Sequence, residues 1–355
     1  MRKIAIVGGG QSGLQLALGL QRAKYDVTVI SNRTPQQIRE GRVTSSQFMF
    51  HNSLQNERDL GINFWEEECP TTEGIAFSIP GPDGGRALFW EAKLDHYGQS
   101  VDQRLKFAGW MEAFAKRGGT VVYKEAGVED LEAYAKSHGL VLVASGKGEI
   151  SRLFEKDARN SPFATPMRAL ALTYVKKMVP RQPFSAVAFS LIPEVGEYFV
   201  FPALTINGPC EIMVFEGIPG GPMDCWQGVQ TPEQHLERSK EILDKWLPWE
   251  AERCREIELT DEMGILVGRF PPTVRKPIGR LPSGGCALGM GDVVVLNDPI
   301  TGQGSNTASK AAKVYLERIL ARGDRPFDPA WMQETFGLFW DYGQWVVRWT
   351  NSLLT

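Results

Sequence analysis

Residues 3–14 read Lys3-Ile4-Ala5-Ile6-Val7-Gly8-Gly9-Gly10-Gln11-Ser12-Gly13-Leu14, and the fold follows from this stretch. An apolar strand runs into glycines spaced G-x-G-x-x-G. An apolar helix, Leu14 to Leu20, follows, and then a second apolar strand, Val27 to Ile30. This order predicts the first βαβ unit of a dinucleotide-binding fold. Gly8 allows the tight turn, Gly10 lets the backbone approach a pyrophosphate, and Gly13 lets the helix pack close to the strand. The helix start, with Gln11 and Ser12, offers unpaired N–H groups and a positive dipole end to phosphates. A glycine turn that binds nothing is the competing reading.

The second strand ends Ile30-Ser31-Asn32-Arg33, with no acid to hold ribose hydroxyls as NAD-binding versions usually have. Asn32 can still hydrogen-bond a ribose, and Arg33 could meet a phosphate or stack on adenine. Taken alone, the arginine hints at NADP.

The C-terminal third decides between cofactors. Gly289-Met290-Gly291-Asp292 is followed by Asn297-Asp298-Pro299-Ile300-Thr301-Gly302-Gln303-Gly304-Ser305-Asn306 and a helical pattern, Thr307 to Leu320. Asp292 is placed to accept hydrogen bonds from a ribityl chain; an ordinary helix-start carboxylate is the other reading. Pro299 and the glycines shape a loop at a helix start, which suits the negative charge of a reduced flavin. Glycine motifs at both ends of the chain fit one long FAD.

These paired motifs resemble those of the FAD-dependent aromatic hydroxylase superfamily. Within it the chain resembles the oxygenase component of styrene and indole monooxygenases, the two-component flavin epoxidases. Ser100-Val101-Asp102-Gln103-Arg104-Leu105, Val143-Ala144-Ser145-Gly146-Lys147, Asn160-Ser161-Pro162-Phe163 and Arg348-Trp349-Thr350-Asn351 carry the resemblance further along the chain. Styrene-type members of the family continue well beyond the last of these, so the resemblance is expected to be better to the indole-oxidising relatives.

The resemblance implies an α/β fold, a Rossmann-like FAD-binding domain with an interleaved β-sheet substrate domain. The FAD domain is expected at 1–75, 101–165 and 270–355, and the substrate domain at 76–100 and 166–269. It implies epoxidation of an aromatic alkene through a C4a-hydroperoxyflavin formed from FADH2 and O2. Arg104 is expected at the FAD pyrophosphate, or else as a surface i,i+4 partner, and Gly146 at the third glycine turn. Gln47 stands where the family has an asparagine beside the flavin, and could hydrogen-bond an indole N–H or a flavin edge. Asn297, Asp298, Pro299 and Thr301 are expected near the oxygen-transfer position, and Gly302, Gln303, Gly304, Ser305 and Asn306 at the cofactor. Phe48, Met49, Phe50, Phe199, Phe201 and Leu204 are candidate pocket residues, with core packing as the alternative. Strand alternation sends Phe199 and Phe201 to one face and Val200 and Pro202 to the other. Phe336, Phe339, Trp340, Trp345 and Trp349 are expected as helix core. His51 is expected as a structural, hydrogen-bonded histidine.

Single-component hydroxylases of the superfamily carry an Asp-Gly tied to NAD(P)H binding, and this chain has Ala144-Ser145-Gly146 there. An NADH-dependent flavin reductase is therefore the expected partner. The flavin halogenases need a W-x-W-x-I-P element, which Trp246-Leu247-Pro248-Trp249 does not match. A single-component NAD(P)H-dependent hydroxylase and a non-catalytic FAD-fold carrier are the alternatives.

Composition agrees. The 355 residues carry a formal net charge of −3, which makes no case for nucleic acid. No stretch approaches a transmembrane helix, and the first strand begins too early for a signal peptide, so a cytoplasmic protein is expected. Five scattered cysteines read as reduced thiols, and four histidines without paired spacing argue against a metal. A homodimer is one candidate assembly.

Overall fold

The structure is a computed structural model that describes residues 2–146 and 148–355. Lys147, part of the third glycine turn, lies outside the described residues. The chain opens with β1 (Lys3–Val7), α1 (Gln11–Arg22) and β2 (Asp26–Ser31), then α2 (Pro35–Arg39) and α3 (His51–Leu60). There follow β3 (Thr72–Pro80), β4 (Arg86–Gly98), α4 (Gln103–Lys116), β5 (Thr120–Tyr123), α5 (Val128–Ser137) and β6 (Leu140–Val143). Four consecutive strands come next, β7 (Ala169–Lys176), β8 (Ala186–Ile192), β9 (Gly196–Thr205) and β10 (Gly208–Gly217), before α6 (Pro232–Trp246) and α7 (Pro248–Arg253). Short strands β11 (Glu258–Leu259), β12 (Ile265–Gly268), β13 (Thr273–Val274), β14 (Ile278–Arg280), β15 (Cys286–Gly289) and β16 (Val295–Leu296) lead to α8 (Gly304–Arg322) and α9 (Pro329–Leu353).

Among the described residues the strands form two large sheets and one two-stranded pair, β13 with β16. The first has the order β14-β15-β6-β1-β2-β5, parallel except for the edge strand β14. Its strands β1 and β6 are apolar runs buried on both faces, as a helix-covered parallel sheet requires. Leu14, Leu16, Ala17, Leu18 and Leu20 of α1 join them in one core with Trp110, Met111 and Phe114 of α4 and Ala311, Ala312 and Tyr315 of α8. The second sheet has the order β11-β7-β10-β9-β8-β3-β4, with β12 also on β7. Its first strand starts at Thr72, a few residues ahead of the expected boundary at 76.

Local rules set the helix starts. Thr231 caps α6 through a reciprocal bond pair with Gln234, and Pro232 stands at the first helical position. Asp102 caps α4 by accepting from Arg104 N–H. The expectation for α9 is half corrected. Phe336 and Phe339 are buried, but Trp345 is 62 % and Trp349 50 % exposed. The helix is apolar around more of its circumference than one core can cover, so part of that surface faces out. No helix among the described residues is long and apolar enough to cross a membrane.

Candidate active site

Three glycine turns separated by most of the chain meet at the start of α1. A Cβ on Gly8, whose φ is +125°, would lie 2.9 Å from Ala144 C. One on Gly13 would lie 2.1 Å from Gly8 O, so helix and strand touch backbone to backbone. One on Gly146 would meet Asp292 O at 3.0 Å, and one on Gly291 would meet Ser12 Oγ at 2.6 Å. The G-x-G-x-x-G turn, the Ser145-Gly146 turn and Gly291-Asp292 therefore form one cradle. Gly10 alone of these has open space where a side chain would be.

The cradle exposes the kind of N–H donors that an anion would need. α1 begins without a side-chain cap, and its first bond is Leu14 N–H to Gly10 O, 3.0 Å. The N–H groups of Gln11, Ser12 and Gly13 are left for a ligand. At the far end of β2, Asn32 is exposed and the Arg33 guanidinium makes no ion pair among the described residues. α8 also starts without a side-chain cap, with its first bond at Thr307 N–H to Gln303 O, 2.8 Å. Two bare helix starts, on helices joined by Gln15 Nε2 donating to Ser309 O at 3.2 Å, suit a long ligand with phosphates at one end and developing negative charge at the other.

The Pro299–Thr301 turn precedes α8. Asp298 caps it, accepting from Ile300 N–H at 3.1 Å, and Gly302 closes it with φ +62°. Ile300 packs into a cluster with Phe48, Phe199, Phe201, Tyr174 and Val214, joined by Phe50 and Phe189. Ring contacts run on across the sheet. Phe48 meets Phe50 and Phe201 at 5.0 and 5.5 Å, Phe189 meets Phe199 at 4.6 Å, and Phe77 lies 5.4 Å from Phe189 and 6.0 Å from Trp90. Phe77, Phe189 and Trp90 were not singled out from the sequence. The period-two alternation of β3 and β8 was the signal that could have found them.

Gln47 is 5 % exposed, and neither atom of its side-chain amide has a hydrogen-bond partner. The Tyr174 hydroxyl beside it donates to Ser45 O, 2.9 Å, and keeps acceptor capacity toward the amide N–H, so the amide oxygen is the atom a ligand would serve. A buried amide without partners is costly unless a ligand supplies them.

Several expected residues are otherwise engaged. Arg104 does not present a free guanidinium to a phosphate. It is 2 % exposed and binds Asp102, with Nε to Oδ2 at 2.9 Å, and Asp261, with Nη1 to Oδ1 at 2.8 Å and Nη2 to Oδ2 at 3.0 Å. Two carboxylates already balance its charge. Met49 points away from the ring cluster, its Sδ 3.1 Å from Lys106 Nζ. Leu204 packs with Cys69 and Val101, because its even position in β9 puts it on the face opposite Phe199 and Phe201. The Thr301 hydroxyl is bonded to that of Thr350 in α9, 2.9 Å, which ties the turn to the Arg348–Asn351 motif. Asn306 clasps the candidate pocket segment: its Nδ2 donates to Phe48 O at 2.8 Å and its Oδ1 accepts from Phe50 N–H at 3.0 Å. Ser305 Oγ donates to the same carbonyl at 3.2 Å. His51 stacks on His96 with ring centroids 4.0 Å apart, a structural placement.

Beneath the cradle lies a buried polar group that no motif announces. Gln11 Nε2 donates to Gln15 Oε1 and Glu57 Oε1, each at 3.0 Å. Lys106 Nζ binds both Glu57 oxygens at 2.7 and 3.0 Å. A cavity of about 310 Å³ opens elsewhere, on the other face of the second sheet around Val175, Ala186, Val200 and Pro202. It contains none of the glycine turns or the ring row, so size alone does not locate the site. Among the described residues no group of His, Cys, Asp and Glu could hold a metal.

Comparison with known proteins agrees with this geometry. A family model, "Styrene monooxygenase A putative substrate binding domain", matches residues 146–253. Styrene monooxygenase StyA of Pseudomonas fluorescens is 31% identical over 360 residues, covering 100% of this chain and 85% of that protein. StyA of a Pseudomonas species is 32% identical over 362 residues with the same coverage. Among solved structures, PqsL of Pseudomonas aeruginosa, described as a probable FAD-dependent monooxygenase, aligns with a TM-score of 0.71 at 15% identity, covering 99% of this chain and 95% of that one. 2-Methyl-3-hydroxypyridine-5-carboxylic acid oxygenase aligns at 0.69 and 14% identity, covering 100% and 90%. The flavin-dependent brominase Bmp2 aligns at 0.66 and 13%, covering 97% and 88%. These three speak for the fold alone. The two StyA sequences, similar along the entire chain, place the protein: it belongs to the styrene monooxygenase family and is a two-component, FAD-dependent flavoprotein monooxygenase.

Proposed function

We propose that this enzyme epoxidises a small aromatic alkene of the indole or styrene type, using FADH2 delivered by a separate NADH-dependent flavin reductase. The observation that carries this reading is one meeting place: the Pro299–Thr301 turn packs, through Ile300, on the aromatic face of the second sheet. Reduced FAD, when bound, activates O2 and supplies the oxygen atom. The chain's own residues bind, orient and keep out water. Gly8, Gly10 and Gly13, with the free N–H groups of α1, hold the pyrophosphate. Asn32 and Arg33 take the adenosine end, and Asp292 with Gly146 takes the ribityl chain. The N–H groups of Gly304, Ser305 and Asn306 face the negative charge of the reduced ring. The segments 1–75, 101–165 and 270–355 serve the cofactor, and 76–100 with 166–269 serve the substrate.

Phe48, Phe50, Phe199, Phe201 and Phe189 form an apolar wall that excludes water. Gln47 is the polar group in that wall. Its Oε1 accepts an indole N–H, an interaction styrene cannot return, so indole is the favoured substrate class. Purified protein with an unrelated flavin reductase, NADH, FAD and indole should turn blue with indigo. NADH added without the reductase should leave the bound flavin oxidised. Rapid bleaching in that control, followed by stopped-flow absorbance, would make the enzyme a single-component hydroxylase. No product with the reductase present would leave a carrier.

Pro299 fixes the turn that Asn297, Asp298 and Thr301 build. Pro299→Gly restores chain entropy there, about 1 kcal/mol against the ordered turn. The variant should still consume O2 with FADH2 but release more H2O2 and less oxygenated product. An unchanged ratio of H2O2 to O2 would move oxygen transfer away from this turn.

A further inference from the structure

Three buried carboxyl groups and one arginine meet where the Pro299–Thr301 turn touches the second sheet. Glu197 of β9 and Glu216 of β10 are cross-strand partners, on the face that carries Phe199 and Phe201. Glu197 is 2 % exposed, Glu216 0 % and Asp298 1 %. Arg168, just ahead of β7, spends its guanidinium on Glu197, with Nε to Oε2 at 2.7 Å and Nη2 to Oε1 at 2.9 Å. Its remaining bonds go to the Met167 and Leu353 carbonyls. Asp298 Oδ1 accepts from Ile300 N–H. Both oxygens of Glu216, and Asp298 Oδ2, are left without any N–H or hydroxyl donor. These two carboxyl groups lie side by side.

Three anions against one cation in a dry site cannot all stay ionised, because two adjacent carboxylates drive one of the pair to keep its proton. A proton on Glu216 turns an orphaned acceptor into an O–H donor for the neighbouring Asp298 carboxylate. We propose that Glu216 and Asp298 share one proton as an acid–carboxylate pair, and that this bond is the positioning contact that pins the oxygen-transfer turn to the substrate sheet. Its catalytic consequence rests on the function proposed above. Both are positioning residues that act through the turn.

Burial, with the Asp298 and Glu197 charges, pushes Glu216 well above the ordinary carboxylate range, and burial raises Asp298 as well. The charged groups that face the pair are Arg168, Glu197 and each other, while α9 contributes the Leu353 carbonyl to Arg168. Above the ordinary glutamate value the folded protein holds a proton that the unfolded chain has lost. Stability therefore falls as pH rises from that value toward the pair's raised one, and levels off beyond it. Glu216→Gln cannot titrate yet still donates an N–H to Asp298, so that slope disappears. Glu216→Ala removes the donor and leaves Asp298 Oδ2 unmatched at every pH.

The test uses two readouts on flavin-free protein and one on turnover. The infrared difference between wild type and Glu216→Gln at neutral pH should show one protonated-carboxyl carbonyl band in the wild type. Melting temperature against pH should show the wild-type slope and a flatter profile for Glu216→Gln. With FADH2 and substrate, H2O2 released per O2 should rise with pH in the wild type, stay level in Glu216→Gln, and be high throughout in Glu216→Ala. If Glu216→Gln does not fold, Asp298→Asn serves: without its anionic neighbour Glu216 ionises more readily, and the band should weaken. No band difference, or equal pH slopes in wild type and Glu216→Gln, overturns the pair. A band and slope without any product would keep the pair and overturn the proposed reaction.

Discussion

Gly10→Val is expected to leave the fold intact and to abolish FAD binding. Gly10 precedes α1 with φ −98°, a conformation open to any residue, and no atom lies within 4 Å of the position a Cβ would take. The valine side chain therefore costs the apoprotein little. It fills the one open place in the cradle, between the bare N–H groups of α1 and any approaching phosphate. Losing that approach should weaken FAD a hundredfold or more, about 3 kcal/mol. Gly13→Ala is the contrasting variant. Alanine in a helix normally gains about 1 kcal/mol over glycine. Here the new methyl would sit 2.1 Å from Gly8 O, a backbone atom that cannot rotate away. Strain of about 1–3 kcal/mol or more from such overpacking outweighs the helix gain, so this variant should melt at lower temperature. Calorimetry and flavin-fluorescence titration separate the two. If Gly10→Val melts with the parent and binds FAD as tightly, the cofactor does not lie on the start of α1.

Lys106→Met should destabilise the protein by about 3–5 kcal/mol, because it strands the Glu57 carboxylate in the interior. Glu57 is 0 % and Lys106 2 % exposed, and the ammonium bonds both carboxylate oxygens. Gln11 Nε2 remains as a single neutral donor to Glu57, too little to replace a cation. The loss should reach the cofactor as well, since Gln11 opens α1. Replacing both partners, as Glu57→Gln with Lys106→Met, should recover much of the loss, because no buried charge is then unpaired. Urea midpoints at equal slope, taken around the double-mutant cycle, measure the coupling. Additive losses with no recovery would show that the ion pair is not what the interior depends on.

What the sequence revealed at the site were the parts that depend on backbone. Glycine spacing, a proline and a helix start prescribe backbone conformation locally, so the turns at Gly8–Gly13, Gly291-Asp292 and Pro299–Gly304 could be read one at a time. The alternation of β9 likewise put Phe199 and Phe201 on one face, as the ring cluster shows. The same rule, applied one step further, would have excluded Leu204.

Side-chain partners across long separations had no local signal. Arg104 read as a phosphate ligand because its motif was visible and Asp261, 157 residues on, was not. The Glu57–Lys106 pair, the Asn306 clasp on Phe48 and Phe50, and the meeting of Glu216 with Asp298 join segments that only the folded chain brings together. The backbone of the glycine and proline turns was determined by local conformational preference, where those residues leave few alternatives. The charge and hydrogen-bond partners of each buried polar group were decided by tertiary structure, because desolvation makes every such group answer to whichever neighbour the fold supplies.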